Sequence, residues 1–294
     1  MKRILVLLFL LVPALAGPRL AAGATEDIGM VWKVTSPSAT VYLAGSVHFL
    51  SFKDHPLPAP YQSAYEKAGK ILFELDMREV YSPENMAVMQ NGSILPEGTR
   101  IEDVLQPETL RHLEKYAEAR GLPKTSFSRQ QPWYAAVTIT TIDLMRLGIT
   151  PAAGVDMHFF QKSQQDGKPI RGLETIAFQV GLFTSMSMEE QDLFLQSTLI
   201  DIETLDQAMD HMTMLWRTGQ EEELANYLHE GLSDFPDLVE SLLHQRNRNW
   251  IEDIETLLQG DQTAMVIVGA GHLVGEQSVI ELLQENDFKV ERWK

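Results

Sequence analysis

The sequence predicts an α/β (α+β) fold in which the N- and C-terminal parts build one mixed sheet around a large helical insertion at about 78–260. Three observations carry that expectation. A strand, a helix and a strand follow one another near the N-terminus, the same order returns at the C-terminus, and helical apolar stripes fill the interior.

The first two strands are read from Met30-Val31-Trp32-Lys33-Val34 and Thr40-Val41-Tyr42-Leu43. These runs flank Thr35-Ser36-Pro37-Ser38-Ala39, a polar turn with proline, and so predict a β-hairpin. Pro56, Pro58 and Pro60 lead into a short helix around Tyr61 to Ala68, which the strand Lys70 to Leu75 follows. In the interior, Pro107 and Pro132 are placed as first-turn prolines and Gly121 and Gly148 as stops, bracketing helices near 107–120 and 132–147. Ser187 and Glu190 have the spacing of a capping box and open a long helical stretch that Gly219 ends. Another helix, from Pro236 to Gly260, carries Val239, Arg246, Trp250 and Ile254 on one face. The chain closes with a strand at Ala264 to Val268, a helix at about 276–286 and a strand at Phe288 to Trp293. No Ser/Gly-rich linker divides these elements, so residues 25–294 read as one composite domain.

Residues 1–24 stand apart. Lys2 and Arg3 precede the apolar stretch Ile4 to Ala16, too short to span a bilayer, and small-x-small sites fall at Ala14-Leu15-Ala16 and Ala22-Gly23-Ala24. This is the pattern of a secretory signal cleaved after Ala24, leaving a periplasmic or secreted protein with no stable membrane span. There is no Cys, so thiol chemistry and disulfides are excluded and the core must hold the fold alone. Loss of the leader takes the net charge from −17 to −20. Such acidity argues against nucleic acid and anionic membranes as partners.

Gly45-Ser46-Val47-His48 and Gly269-Ala270-Gly271-His272 each close an apolar, strand-like run. A glycine at a strand exit allows a sharp turn, and ligands bind at the carboxyl edge of open α/β sheets. Two imidazoles brought to that edge would make a metal site or an acid/base pair; the alternative is a pair of hydrogen-bonded structural histidines. Glu74 lies inside the buried run Ile71 to Leu75 and needs a partner, whether a metal, a charged histidine or an arginine. Asp76 shares its face by alternation and is a candidate second ligand. Asp156 in Gly154-Val155-Asp156 and Glu174 in Gly172-Leu173-Glu174-Thr175 are further acids, which ordinary helix capping also explains. Arg246, on the apolar side of its helix, either meets an acid, holds a substrate oxygen, or extends its head to water.

Taken together, these residues resemble the TraB/GumN family, a branch of the superfamily that includes the Tiki proteases and the erythromycin esterases. The resemblance rests on Leu43 to His48, Phe73-Glu74-Leu75-Asp76, Gln131-Pro132-Trp133, Gly154-Val155-Asp156, Leu173-Glu174-Thr175 with Gln179, Arg246-Asn247, and Val268 to Gly275. It implies an α/β core with helical additions and a site made by His48, Glu74 and His272. Tiki relatives are regarded as divalent-metal-dependent proteases, the esterases as hydrolases, and the TraB namesakes as proteins that shut off a peptide pheromone.

The expectation is therefore an exported, peptidase-like hydrolase acting on a peptide or small molecule. His48, Glu74 and His272 would bind Mn²⁺, Co²⁺ or Zn²⁺, Asp156 or Glu174 would be the base, and Arg246 would steady the oxyanion or substrate. The alternatives are a non-catalytic protein that sequesters a peptide and a metal-independent, esterase-like hydrolase with His48 as base.

Overall fold

The structure is a computed structural model that describes residues 27–232 and 235–294. The expected secretory segment, 1–24, lies outside the described residues.

Six strands form one mixed sheet in the order β4-β3-β5-β2-β1-β6. β1 (Val31–Thr35) and β2 (Thr40–Ser46) make the expected hairpin, with Val34 opposite Val41 and the turn closed by Ser36 N–H donating to the Ala39 carbonyl. β3 (Lys70–Leu75) and β5 (Ala264–Gly269) lie parallel, and β5 also pairs parallel with β2. β4 (Ile170–Glu174) adds to β3 in parallel, and β6 (Lys289–Arg292) closes the other side antiparallel to β1. The three central strands are buried almost throughout, which is why they read as continuous apolar runs without alternation. β4 belongs to the sheet although it arises inside the interior stretch, so that stretch is not wholly helical.

The helices follow the caps written in the sequence. α1 (Ala59–Lys67) joins β2 to β3. Between β3 and β4 come α2 (Pro83–Ser93), α3 (Ile101–Val104), α4 (Pro107–Ala119), α5 (Pro132–Arg146) and α6 (Val155–Asp166). Between β4 and β5 come α7 (Ile176–Thr184), α8 (Met188–Asp201), α9 (Leu205–Thr218), α10 (Glu221–Leu232), α11 (Pro236–Val239) and α12 (Gln245–Gln259). α13 (Val279–Glu285) precedes β6. Two expected helices are interrupted. The stretch opened by Ser187 breaks at a 3₁₀ turn, Ile202–Thr204, before Gly219 ends α9, and a π-turn, Glu240–His244, separates α11 from α12. A π-turn rotates the residues beyond it, and Arg246 and Asn247 follow immediately.

β3 connects onward to β4 on one side, whereas β5 connects across the sheet to β6 on the other. Between these adjacent strands the winding reverses, and a crevice opens at their carboxyl ends. No helix among the described residues is long and apolar enough to cross a membrane.

Candidate functional site

The four adjacent parallel strands end on one edge, and each delivers a polar residue there. β2 leads to His48 two residues beyond its end, β3 carries Glu74, β4 ends at Glu174, and β5 leads through the turn Ala270–His272 to His272. Asp156 enters from the first turn of α6, which comes close because Gly154 has no side chain. A Cβ there would lie 2.1 Å from the His48 carbonyl oxygen. Arg246 arrives from α12. The structure thus brings all six candidate residues into one cluster.

Arg246 is its centre. The side chain is 1% exposed, and all five of its N–H groups are committed. Nε donates to Glu174 at 2.9 Å, Nη1 to the Leu242 carbonyl at 3.0 Å and to His272 Nε2 at 3.1 Å, and Nη2 to Glu74 Oε2 at 2.7 Å and Glu174 Oε2 at 2.8 Å. No donor remains for an oxyanion, so the expectation that Arg246 steadies one is corrected: it holds Glu74, Glu174 and His272 in place. Glu174 also accepts from Trp250 Nε1 at 3.0 Å and Gln179 Nε2 at 3.1 Å. Arg246, Trp250 and Gln179 thus hold both Glu174 oxygens in the fixed network around the guanidinium.

Glu74 Oε1 accepts the Gly269 N–H at 2.7 Å. Burial alone would raise the Glu74 carboxyl, but Arg246, the two imidazoles and this N–H outweigh it and hold the group far below the usual carboxylate range. Asp76 stays outside the cluster, paired with Arg78.

The two histidines differ. Asn247 Nδ2 donates to the Gln277 carbonyl at 2.8 Å, which fixes the amide so that its Oδ1 faces His272 Nδ1 at 2.7 Å. His272 must then carry its proton on Nδ1, and its Nε2 lone pair accepts from Arg246. Burial, followed by the Arg246 charge, pushes this imidazole down to about 3, so it is neutral at ordinary pH. His48 is partly open, and its Nδ1 meets Asp156 Oδ2 at 2.6 Å while its Nε2 lies 3.7 Å from Glu74 Oε1. Burial pulls His48 down, yet Asp156 and then Glu74 more than reverse it, and its affinity for a proton is raised.

Glu74 Oε1 lies 3.7 and 3.8 Å from the two Nε2 atoms. Ligands sharing one tetrahedral ion would be roughly 3.3 Å apart, so the spacing is near that of a metal site. The donor chemistry does not fit. The His272 lone pair that an ion needs already accepts from a guanidinium, and a resident cation lies against the same carboxylate. Among the described residues no group of three or more His, Asp or Glu is arranged to hold an ion.

Two cavities meet at His48 and Glu74. The larger, of about 650 Å³, is walled by apolar side chains such as Phe49, Leu75, Met77, Val80 and Met89, with Gln179 and Asp156 among them. The smaller, of about 80 Å³, is lined by Met212, Trp216, Leu224, Leu228 and Leu242. Gly269 lies between the polar groups: a Cβ there would be 3.4 Å from both Glu74 Oε1 and His48 Nε2. Its φ of −50° is open to any residue, so this glycine provides space and not a turn.

Asn247, Gln179 and Trp250 were given no role by the sequence. A polar residue beside Arg246 on an otherwise apolar helix face was the available signal for Asn247.

A sheet-edge site of this kind, with paired Gly-x-x-His histidines and a strand glutamate, defines the class: the chain belongs to the TraB/PrgY/gumN family, whose model matches residues 30–292. Among relatives, it is 25% identical over 243 residues to the uncharacterised protein YbaP of Escherichia coli K12, covering 83% of this chain and 87% of YbaP. It is 19% identical to the metalloprotease TIKI2 of Xenopus tropicalis, over 90% of this chain but 60% of TIKI2, and 20% identical to TIKI2 of Danio rerio, again over 60% of that protein. No solved structure matches.

Proposed function

We propose that the chain is a hydrolase of peptide-like bonds with His48 as its general base. The observation that carries this reading is the His48–Asp156 pair at 2.6 Å, set where two cavities meet and beside the Glu74 carboxylate. Asp156 fixes the ring and stabilises its charged form, the work of the acid in a catalytic His–Asp pair. Water adds its oxygen to the substrate carbonyl carbon and gives its proton to His48. When the C–N bond breaks, His48 returns that proton to the departing nitrogen. Neutral His272, held by Asn247 and Arg246, and Glu74, held by Arg246 and Gly269, form the fixed wall of the site. The names of the TIKI relatives support the reaction class, and an acidic surface supports a substrate other than nucleic acid. The apolar segment behind Lys2 and Arg3 supports export.

The test is turnover of apolar peptides by wild type and His48→Ala at equal folded concentration. The reading expects many turnovers by wild type and none by the variant. A second reading, a metal-dependent peptidase, is favoured by the 3.7 and 3.8 Å spacings and by the names of the TIKI relatives. It requires Arg246 to release His272, and loss of turnover in chelator with recovery on adding Mn²⁺, Co²⁺ or Zn²⁺ would select it.

A further inference from the structure

We infer that the smaller cavity is a specificity pocket: it admits one branched aliphatic side chain, from a residue beside the scissile bond, and excludes aromatic rings. The inference rests on the hydrolase reading above and adds to it where a chain is cut. The cavity has two unlike sides. Ser46, His48, Glu74 and His272 line it from the sheet edge, whereas Met212 and Trp216 of α9, Leu224 and Leu228 of α10 and Leu242 of the π-turn line it from the helices. The first side carries the reacting groups and the second is apolar. Arg246 also borders the cavity, but its N–H groups are all committed. The Trp216 N–H is committed too, donating to the Gly45 carbonyl at 2.8 Å and lying 2.7 Å from Tyr61 Oη. A group that passes from the reacting side in between these helices therefore meets hydrocarbon, and an apolar group enters there without giving up hydrogen bonds.

Size sets the choice among apolar groups. An apolar cavity that binds benzene measures roughly 150 Å³. At about 80 Å³ this one is too small for a phenyl ring and suits a valine or leucine side chain. Its wall resists widening, because Trp216 is fully buried, pinned at its N–H and packed against Tyr61 with ring centroids 5.6 Å apart. Gly271 preserves part of the room. A Cβ there would stand 3.2 Å from Leu228 Cδ1, tighter than ordinary contact, while its φ lies outside the left-handed region, so this glycine provides space and not a turn. The larger cavity, which meets this one at His48 and Glu74, is left for the rest of the substrate chain.

The experiment varies the residues at the cut. A library of N-acetylated apolar hexapeptides supplies a cleaved sequence, and each of the two residues flanking its scissile bond is then changed in turn to alanine, valine, leucine, phenylalanine and tryptophan. For wild type, one of these positions is expected to show kcat/KM about tenfold or more higher for valine or leucine than for alanine, and about tenfold or more lower for the two aromatic residues than for leucine. Met212→Ala, which enlarges the cavity, should raise the ratio of kcat/KM for phenylalanine over leucine at that position by about tenfold or more. Both peptides compete for the same enzyme, so any loss of folded protein cancels in the ratio. Leu228→Ala, on the neighbouring helix, gives the same reading if Met212→Ala does not fold. Wild type that cuts aromatic and aliphatic peptides equally at both positions, or a ratio that the enlarged cavity leaves unchanged, would overturn the inference alone. Failure of wild type to cleave any library member would overturn the hydrolase reading and this inference with it.

Discussion

Replacing Arg246 by Met removes the one cation that two buried carboxylates share. Glu74 and Glu174 are each 5% exposed in the side chain, and Arg246 contacts them at 2.7 and 2.8 Å. Removing one partner of a buried ion pair costs about 3–5 kcal/mol, because the remaining charge keeps its burial and loses its compensation. Total stabilities run about 5–15 kcal/mol, so Arg246→Met should still fold, with its urea midpoint lowered by roughly 1–1.7 M at a slope of about 3 kcal/mol per M. The dependence on pH identifies the cause. In wild type the folded Glu74 carboxyl is held low, so its contribution is present above the unfolded value and is lost on acidification. His272, lowered to about 3, acts in the same direction between its unfolded value and 3. In the variant, burial of Glu74 is no longer offset, its folded pKa rises above the unfolded one, and protonation relieves the orphan charge. Urea unfolding at pH 8 and pH 5.5 should therefore show the difference between the two proteins shrinking on acidification, by up to about 1.4 kcal/mol per pH unit for each proton taken up. A loss below about 1 kcal/mol, or a gap that widens at low pH, would refute the idea that Arg246 neutralises this cluster.

Gly269→Ala should fold with a change in stability under about 1 kcal/mol, since its φ suits any residue and the new methyl meets its neighbours at ordinary contact distance. It should nonetheless lower kcat sharply by filling the space between His48 and Glu74; unchanged turnover would move the reaction elsewhere. Asp156→Asn removes the main influence that raises His48, so the acid limb of the kcat/KM profile should move to lower pH while the rate falls by about 10³-fold or more. An acid limb that stays in place would assign it to another group. N-terminal sequencing of the exported protein should begin near Thr25, and recovery of Met1 in the membrane fraction would contradict cleavage.

Much of the fold was legible because its signals are local. Proline-started helices, the Ser187 capping box and the β-branched runs before both Gly-x-x-His motifs depend only on neighbouring residues. β4 was harder: Ile170–Glu174 is short and half-exposed at the edge of the sheet, so it lacks a strong apolar run. The histidines and Glu74 stood out by their place at strand ends. The bonds that define their chemistry did not, since Arg246 reaches Glu74 across 172 positions and Glu174 across 72. A buried arginine announces that it needs an acid, but the sequence does not say that it takes two of them and a histidine. The same holds for Gly269, whose use is the room left between Glu74 and His48.

The central claim, catalysis of peptide-bond hydrolysis at His48, is tested most directly by mass spectrometry of an apolar peptide incubated in ¹⁸O-labelled water at a hundredfold excess over the protein. The account predicts cleaved product exceeding the protein many times over, each new carboxylate carrying ¹⁸O, and none with His48→Ala. Peptide recovered intact, with depletion limited to one equivalent of the protein, would contradict it and leave a protein that binds its peptide without cutting it.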